Sequence, residues 1–479
     1  MRTFRGPHGA GQVVRNVTLL GALTFNGWHA GAAAPASAAE LSLPPVLRNG
    51  STARGTVEVT ITAAVARLTL KPGTTTEVMA YNGSVPGPTL EANEGDRVII
   101  HFRNDLPEPT TVHWHGIHLP AGQDGSPFDP VPAGGRRDYT FTLAKGSAGT
   151  YWYHPHLHHR TGYQVAKGLV GAIIVRDPAD PLPKSLTERL LVLTDNRFAA
   201  DGSIDLPDPR SAAGRIDEEN GREGDVLFVN GQVLPSISIR PGEVQRWRVI
   251  NASAARVYRL AIPGQTFLYV GTGGGLFEKP VEVSELLLAN SERAELLVRG
   301  SGAPGSRSSL QSLAYNRYIP QTRPKDWNRS RDLLSLRVGG APAPPVSIPA
   351  TLRRITPLDT ATATARRTVT FTQGMINNRH FDMSRVDYTT RLGTTEIWTV
   401  ENLVGMDHPF HLHGFQFQVI ERGGRPEPFR SWKDAVNVPK QSTVKFIVRF
   451  DDFAGKWMFH CHILNHEDQG MMGILEVKP

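Results

Sequence analysis

A chain of 479 residues is too long for one hydrophobic core, so two or three domains are expected. Its 47 glycines and 36 prolines suit turn-rich β-structure and argue against a helical protein. The net charge of +7 falls to about +4 once the three arginines of an acid-free N-terminus are set aside, too little and too diffuse for a nucleic-acid-binding surface.

Arg2, Arg5 and Arg15 precede a short apolar stretch, Val17 to Phe25, and Ala36-Ser37-Ala38 fits a small-residue cleavage site. Residues 1–38 are therefore expected to be an export leader, and the protein periplasmic or secreted. The apolar stretch falls short of the ~20 residues a membrane span needs, and no other segment could cross. An exported chain with one cysteine, Cys461, makes no internal disulfide, and metal ligation is one way to occupy the thiol.

Beyond the leader, Val57 to Thr62 and Arg67 to Leu70 alternate apolar and polar residues as half-buried strands do. A longer pattern then recurs. Asn82-Gly83 leads to a strand ending at Asn104, Asn230-Gly231 to one ending at Asn251, and Asn377 to one ending at Asn402. The first anchors are 148 and 147 residues apart, which implies three copies of one β-rich unit. Each copy closes on a strand-like run: Gly171 to Val175, Ala294 to Val298 and Gly473 to Val477. Asp177 to Pro183 and the Pro-rich Gly339 to Pro349 separate the copies, giving domains at 39–179, 180–345 and 346–479. Ala303 to Asp332 reads as an irregular excursion loop. Antiparallel sandwiches or barrels are the expected architecture.

The 17 histidines are unevenly placed: none lies between His159 and His380, so the middle copy has no imidazole. His-x-His recurs at His113/His115, His154/His156, His156/His158, His411/His413 and His460/His462. On a strand, such a pair presents two imidazoles on one face. Four pairs, two from each outer copy, offer eight nitrogens, more than one ion takes, and point to a metal cluster where copies one and three meet. His158, His159, His101, His118 and His380 are read as solvated or supporting. In His460-Cys461-His462 the cysteine faces away from the two histidines and must serve a separate metal. His466 and Met471 lie on a turn that can fold back to it, and His408 is offset from its neighbouring pair. Two histidines, a thiolate and a weak methionine make a blue-copper electron-transfer site. Met472 competes with Met471 for the last position.

The motifs HWHGIH (113–118), WYHPHLH (152–158), HPFHLHG (408–414) and HCHILNHEDQGMM (460–472) resemble those of three-domain multicopper oxidases of the bacterial laccase-like kind. The resemblance covers nearly the whole chain after the leader. It implies an all-β fold of three consecutive cupredoxin-like Greek-key domains and four coppers. By motif, type 1 copper would take His408, Cys461, His466 and Met471, and type 2 copper His113 and His411. The type 3 pair would take His115, His154, His156, His413, His460 and His462. The implied reaction takes single electrons from a small reducing substrate, phenolic or aromatic, near His466, and reduces O2 to water. Asp124 and Glu467 stand where protons would be supplied; their plainer roles are a turn and a hydrogen-bond acceptor. Asp434 would orient a type 1 histidine or simply form a turn. The alternative substrate is cuprous or ferrous ion in metal tolerance, and the missing methionine-rich insertion favours organic molecules. The complete ligand set argues against a non-enzymatic relative. One chain supplies both halves of the cluster, so a monomer is expected.

Overall fold

The computed structural model describes residues 39–71, 73–317 and 328–479; the expected leader lies outside them. The described chain folds into six sheets that form three sandwiches. In each, one sheet holds a parallel pair separated by a long crossover: Thr56–Lys71 with Arg97–Asp105, Thr187–Asn196 with Val244–Asn251, and Ala363–Thr372 with Thr395–Asn402. The repeat seen in the sequence is thus one topology used three times.

The recurring asparagines explain why. Asn82, Asn230 and Asn377 all hold left-handed φ, between 49° and 52°, which asparagine tolerates better than most residues. Each side-chain oxygen accepts from the first long strand of its copy, from the N–H of Thr62, Val192 and Thr370. The second anchors, Asn104, Asn251 and Asn402, are buried and tie backbone carbonyls of the following loop. A turn and a loop are fixed in the same way in every copy.

Each sandwich has its own core, built from alternating residues of both sheets. Trp114, Tyr151 and Tyr153 meet Val98, Ile100 and Tyr139 in the first. Phe410, Leu412, Trp457 and Phe459 meet Trp398, Phe417 and Phe446 in the third. Where an irregular loop was expected over 303–332, Arg307–Ser312 and the start of Arg331–Val338 are strands of the middle copy. In the first of these strands Leu310 is the one apolar residue and the buried Ser312 shares its face, so no apolar alternation shows in the sequence. No described helix is long and apolar enough to cross a membrane.

Candidate metal centre

Strand alternation decides where the histidines point. In His113–His115 the central Trp114 is fully buried in the first core, so His113 and His115 face outward. Tyr151 and Tyr153 do the same for Trp152 and His154 on Gly149–His154, and Phe410 and Leu412 for His411 on His408–Leu412. On Gly455–Cys461, Trp457, Phe459 and Cys461 enter the third core while Met458 and His460 leave it. The outward faces of copies one and three meet, and eight histidines converge there, each at most 1% exposed. Three of them lie beyond strand ends, His413 being one residue past Leu412. Pro155 stops the ladder before His156, whose N–H donates to Thr111 Oγ1 instead (2.6 Å), and His462 follows the last residue of its strand.

Six of the eight turn Nε2 inward and hold Nδ1 against an oxygen. His113 Nδ1 is 2.9 Å from the Asp124 carbonyl, His411 Nδ1 2.8 Å from that of Asp434, and their Nε2 atoms face each other at 3.4 Å. His154 Nδ1 lies 2.8 Å from the Pro155 carbonyl and His460 Nδ1 2.9 Å from that of Cys461. His413 Nδ1 donates to Asp124 Oδ2 (2.7 Å), and His156 Nδ1 stands 3.3 Å from Glu467 Oε1. His115 is reversed: its Nδ1 faces His154 Nε2 at 3.4 Å.

His460 Nε2 lies 3.0 Å from His413 Nε2 and 3.2 Å from His156 Nε2. With protons held on the outer nitrogens, these contacts set lone pair against lone pair. Both nitrogens of His462 are buried without a hydrogen-bond partner. Burial, reinforced by neighbouring imidazoles, pushes the pKa values of His156, His411, His413 and His462 far below the usual range. Neutral imidazoles crowded in this way fit metal cations between them and nothing else that a protein commonly binds.

The second group lies on the other face of the same strand. His408, Cys461 and His466 bring their donor atoms within 4.8 Å of one another. Cys461 Sγ is 3.8 Å from His466 Nδ1 and accepts from the Ile463 N–H (3.4 Å). Burial pushes the thiol pKa up, so a thiolate there needs a cation. His466 sits on a short helix, Leu464–Asp468, rather than on the expected turn. Met471 packs in the third core with Cys461; Met472 pairs across the ladder with His460 and packs against Met458 and Ile474. The two methionines therefore face opposite sides.

Family models of the multicopper oxidases match residues 62–180, 199–306 and 351–479. A multicopper oxidase of Staphylococcus haemolyticus is 31% identical over 449 residues, 91% of this chain and 92% of that one. This chain belongs to the multicopper oxidases. A solved multicopper oxidase from Campylobacter jejuni, described as a metallo-oxidase, is 34% identical with a TM-score of 0.84, covering 93% of this chain and 96% of that one. A laccase from Pediococcus acidilactici is 31% identical with a TM-score of 0.81, covering 93% and 95%. The three sandwiches are cupredoxin-like, and the protein is a copper-dependent oxidoreductase using O2.

Other residues of this multicopper oxidase fall as follows. Glu467 is 1% exposed, with Oε1 and Oε2 3.3 Å from the Nδ1 atoms of His156 and His460. Burial, and then Asp468, pushes its pKa well up. Asp124 bridges His113 and His413 from a turn that only glycine can follow: Gly125 has φ +75°, and a Cβ there would lie 1.7 Å from the Val112 carbonyl. Asp434 does not reach His408 or His466. It lies 2.9 Å from His115 Nε2, because the residue beginning the strand Ala435–Val438 abuts His411 and not the cysteine side.

A cavity of about 610 Å³ opens over the cysteine group, lined by His408, His466, Glu218, Glu219, His380 and Met406 among others. One wall is the C-terminal end of the helix Ala212–Asn220, an element not anticipated from the sequence. Ser211 caps it by accepting from the Gly214 N–H (3.0 Å), and that serine was the available signal. His466 is 4% exposed, and its Nε2 lies 3.1 Å from the Glu219 carbonyl. His380, read as solvated, belongs to this cavity. His101 pairs with Glu58 and Asp138 at the surface, and His118 contacts Asp452 and the Gly414 carbonyl. His158 stacks on His159 at 3.6 Å, apart from the eight.

Proposed function

We propose that the enzyme takes electrons one at a time from a phenolic or other aromatic reductant at the Cys461 group and reduces O2 to water at the histidine cluster. Four coppers would be held: one by His408, Cys461, His466 and Met471, one by His113 and His411, and a pair by His115, His154, His156, His413, His460 and His462. Copper in these positions supplies one-electron redox chemistry that no side chain of the chain can. The observation that carries the reading is the back-to-back geometry of residues 460–462. Cys461 faces the buried group under the cavity, while His460 and His462 face the cluster, so two peptide links join the two centres.

Glu467 would hold a proton between His156 and His460, and Asp124 would keep His413 protonated on Nδ1. The cavity volume exceeds what an ion needs and suits a small organic molecule. Glu218, whose pKa burial raises, stands at its edge and would accept the proton a phenol releases on oxidation.

Ferrous ion is the second reading, favoured by the adjacent glutamates 218 and 219 and by His380 in the lining. Cuprous ion is less favoured, because the Met406 sulfur already accepts from Arg317 Nη1 at 3.3 Å. A monomer is proposed because every ligand comes from one chain, and export rests on the leader pattern alone. On one copper-loaded preparation, phenols should support faster O2 uptake than Fe(II) or Cu(I). Cys461→Ser should abolish blue colour and uptake yet keep the cluster coppers; uptake surviving that change would sink the proposal.

A further inference from the structure

The middle copy holds no histidine, yet one of its side chains enters the metal centre. Arg293 opens the strand Arg293–Arg299, and its guanidinium is 2% exposed. Nη1 and Nη2 donate to Asp434 Oδ1 and Oδ2 at 2.8 and 2.6 Å, a two-pronged pair. Nε donates to the Thr150 carbonyl on the strand that carries His154, and Nη1 also to the Ser291 carbonyl, each at 3.0 Å. One side chain thus joins all three copies.

The pair is fitted tightly. At Gly116, which immediately follows His115, a Cβ would stand 2.6 Å from Asp434 Oδ2 and 2.7 Å from Arg293 Nη2. At Gly273 of the middle copy a Cβ would stand 2.0 Å from the same Nη2. The next residue on the same face of the Arg293 strand, Glu295, accepts from Thr150 Oγ1 at 3.1 Å, which locks the strands together.

Asp434 then acts on two ligands. Its Oδ1 lies 2.9 Å from His115 Nε2, and its carbonyl 2.8 Å from His411 Nδ1. A carboxyl oxygen this close to Nε2 favours the His115 proton on that nitrogen and leaves the Nδ1 lone pair facing inward. His115 is the histidine whose inward contact runs through Nδ1, opposite to the other six with a defined inward nitrogen. Without the Arg293 fork the Asp434 side chain would be free to turn away from His115, and the contact that picks the tautomer would be lost.

We propose that Arg293 is a positioning residue for the copper cluster: its two-pronged grip fixes where the Asp434 carboxyl group stands, and so selects the nitrogen His115 offers to metal. The inference rests on the copper assignment above. The middle copy is then part of the cluster's support as well as a spacer.

The test compares the copper-loaded parent with Arg293→Met and Arg293→Lys by copper content, the type 2 electron paramagnetic resonance signal, the blue absorption band and thermal midpoint. Arg293→Met should keep the blue band while cluster copper binds about 10–100-fold more weakly and the type 2 signal collapses or changes shape. Arg293→Lys should restore part of the signal, since an ammonium supplies the charge without the fork. Adding Asp434→Asn to Arg293→Met should cost nothing further, because the two act as a unit. A parent-like type 2 signal and copper content in Arg293→Met overturns the proposal. So does a fall of blue band and thermal midpoint in step with the cluster signals, unrelieved by lysine. A parent that lacks the type 2 signal or the four coppers fails the functional reading instead.

Discussion

Glu467 shows how one buried carboxyl can serve two histidines. Desolvation keeps it protonated, and its oxygens sit equally far from His156 and His460. Glu467→Gln keeps shape and polarity but cannot release a proton. Stopped-flow measurement should show O2 reduction slowed about 10²-fold or more, with reduction of the Cys461 site near parent rate; equal slowing of both would remove the relay role. Of the doubled methionines, Met472 opens the strand Met472–Lys478 and packs with Met458 and Ile474, while Met471 precedes it and shares the third core with Cys461. Met471 faces Cys461, so Met471→Leu should raise the reduction potential of the blue site, whereas Met472→Leu should leave it unchanged. A redox titration giving the reverse order would exchange their roles.

Among the elements, the strands and their closing asparagines matter more than any helix. Asn402 donates to the carbonyls of Met406, Val438 and Pro439 and accepts from the Val404 N–H. The Met406 carbonyl, held at 2.7 Å, is the atom 2.8 Å from His408 Nδ1. A repeat feature that in the other copies only fixes a loop here also orients His408, a proposed copper ligand. Asn402→Ala should cost about 1–3 kcal/mol by stranding buried backbone groups. It should also broaden or shift the blue band, whereas Asn251→Ala should lower the thermal midpoint with the band unmoved.

For the whole molecule, the cluster stores a liability that metal relieves. In the copper-free protein burial keeps His115, His154, His156, His411, His413 and His462 neutral well below pH 6.5, while in the unfolded chain they protonate near it. The unfolded state therefore binds more protons as pH falls, and stability drops with it. His466, lowered to about 4, and His460, lowered to about 3, add to the loss down to those values, and the histidines pushed far lower continue it. Each such histidine costs roughly 1 kcal/mol per pH unit below 6.5. The thermal midpoint of copper-free protein should fall steeply from pH 7 to pH 4, and less so when copper is bound; a flat copper-free profile would contradict the neutral, buried cluster.

Three features were legible in the chain itself, because local patterns encode them. The Asn spacing revealed three copies, the His-x-His pairs marked outward faces, and His460-Cys461-His462 declared two opposed sites. The last two are period-2 facts, which a strand obeys wherever it packs, and the first is a repeat at domain length. Tertiary structure decided what depends on which faces meet. It moved Asp434 from the cysteine side to His115, separated Met471 from Met472, drew His380 into the cavity, and brought Arg293 from a copy without histidines to the cluster. Arg293 and Asp434 lie 141 residues apart, and only the packing of finished sandwiches brings them within bonding distance.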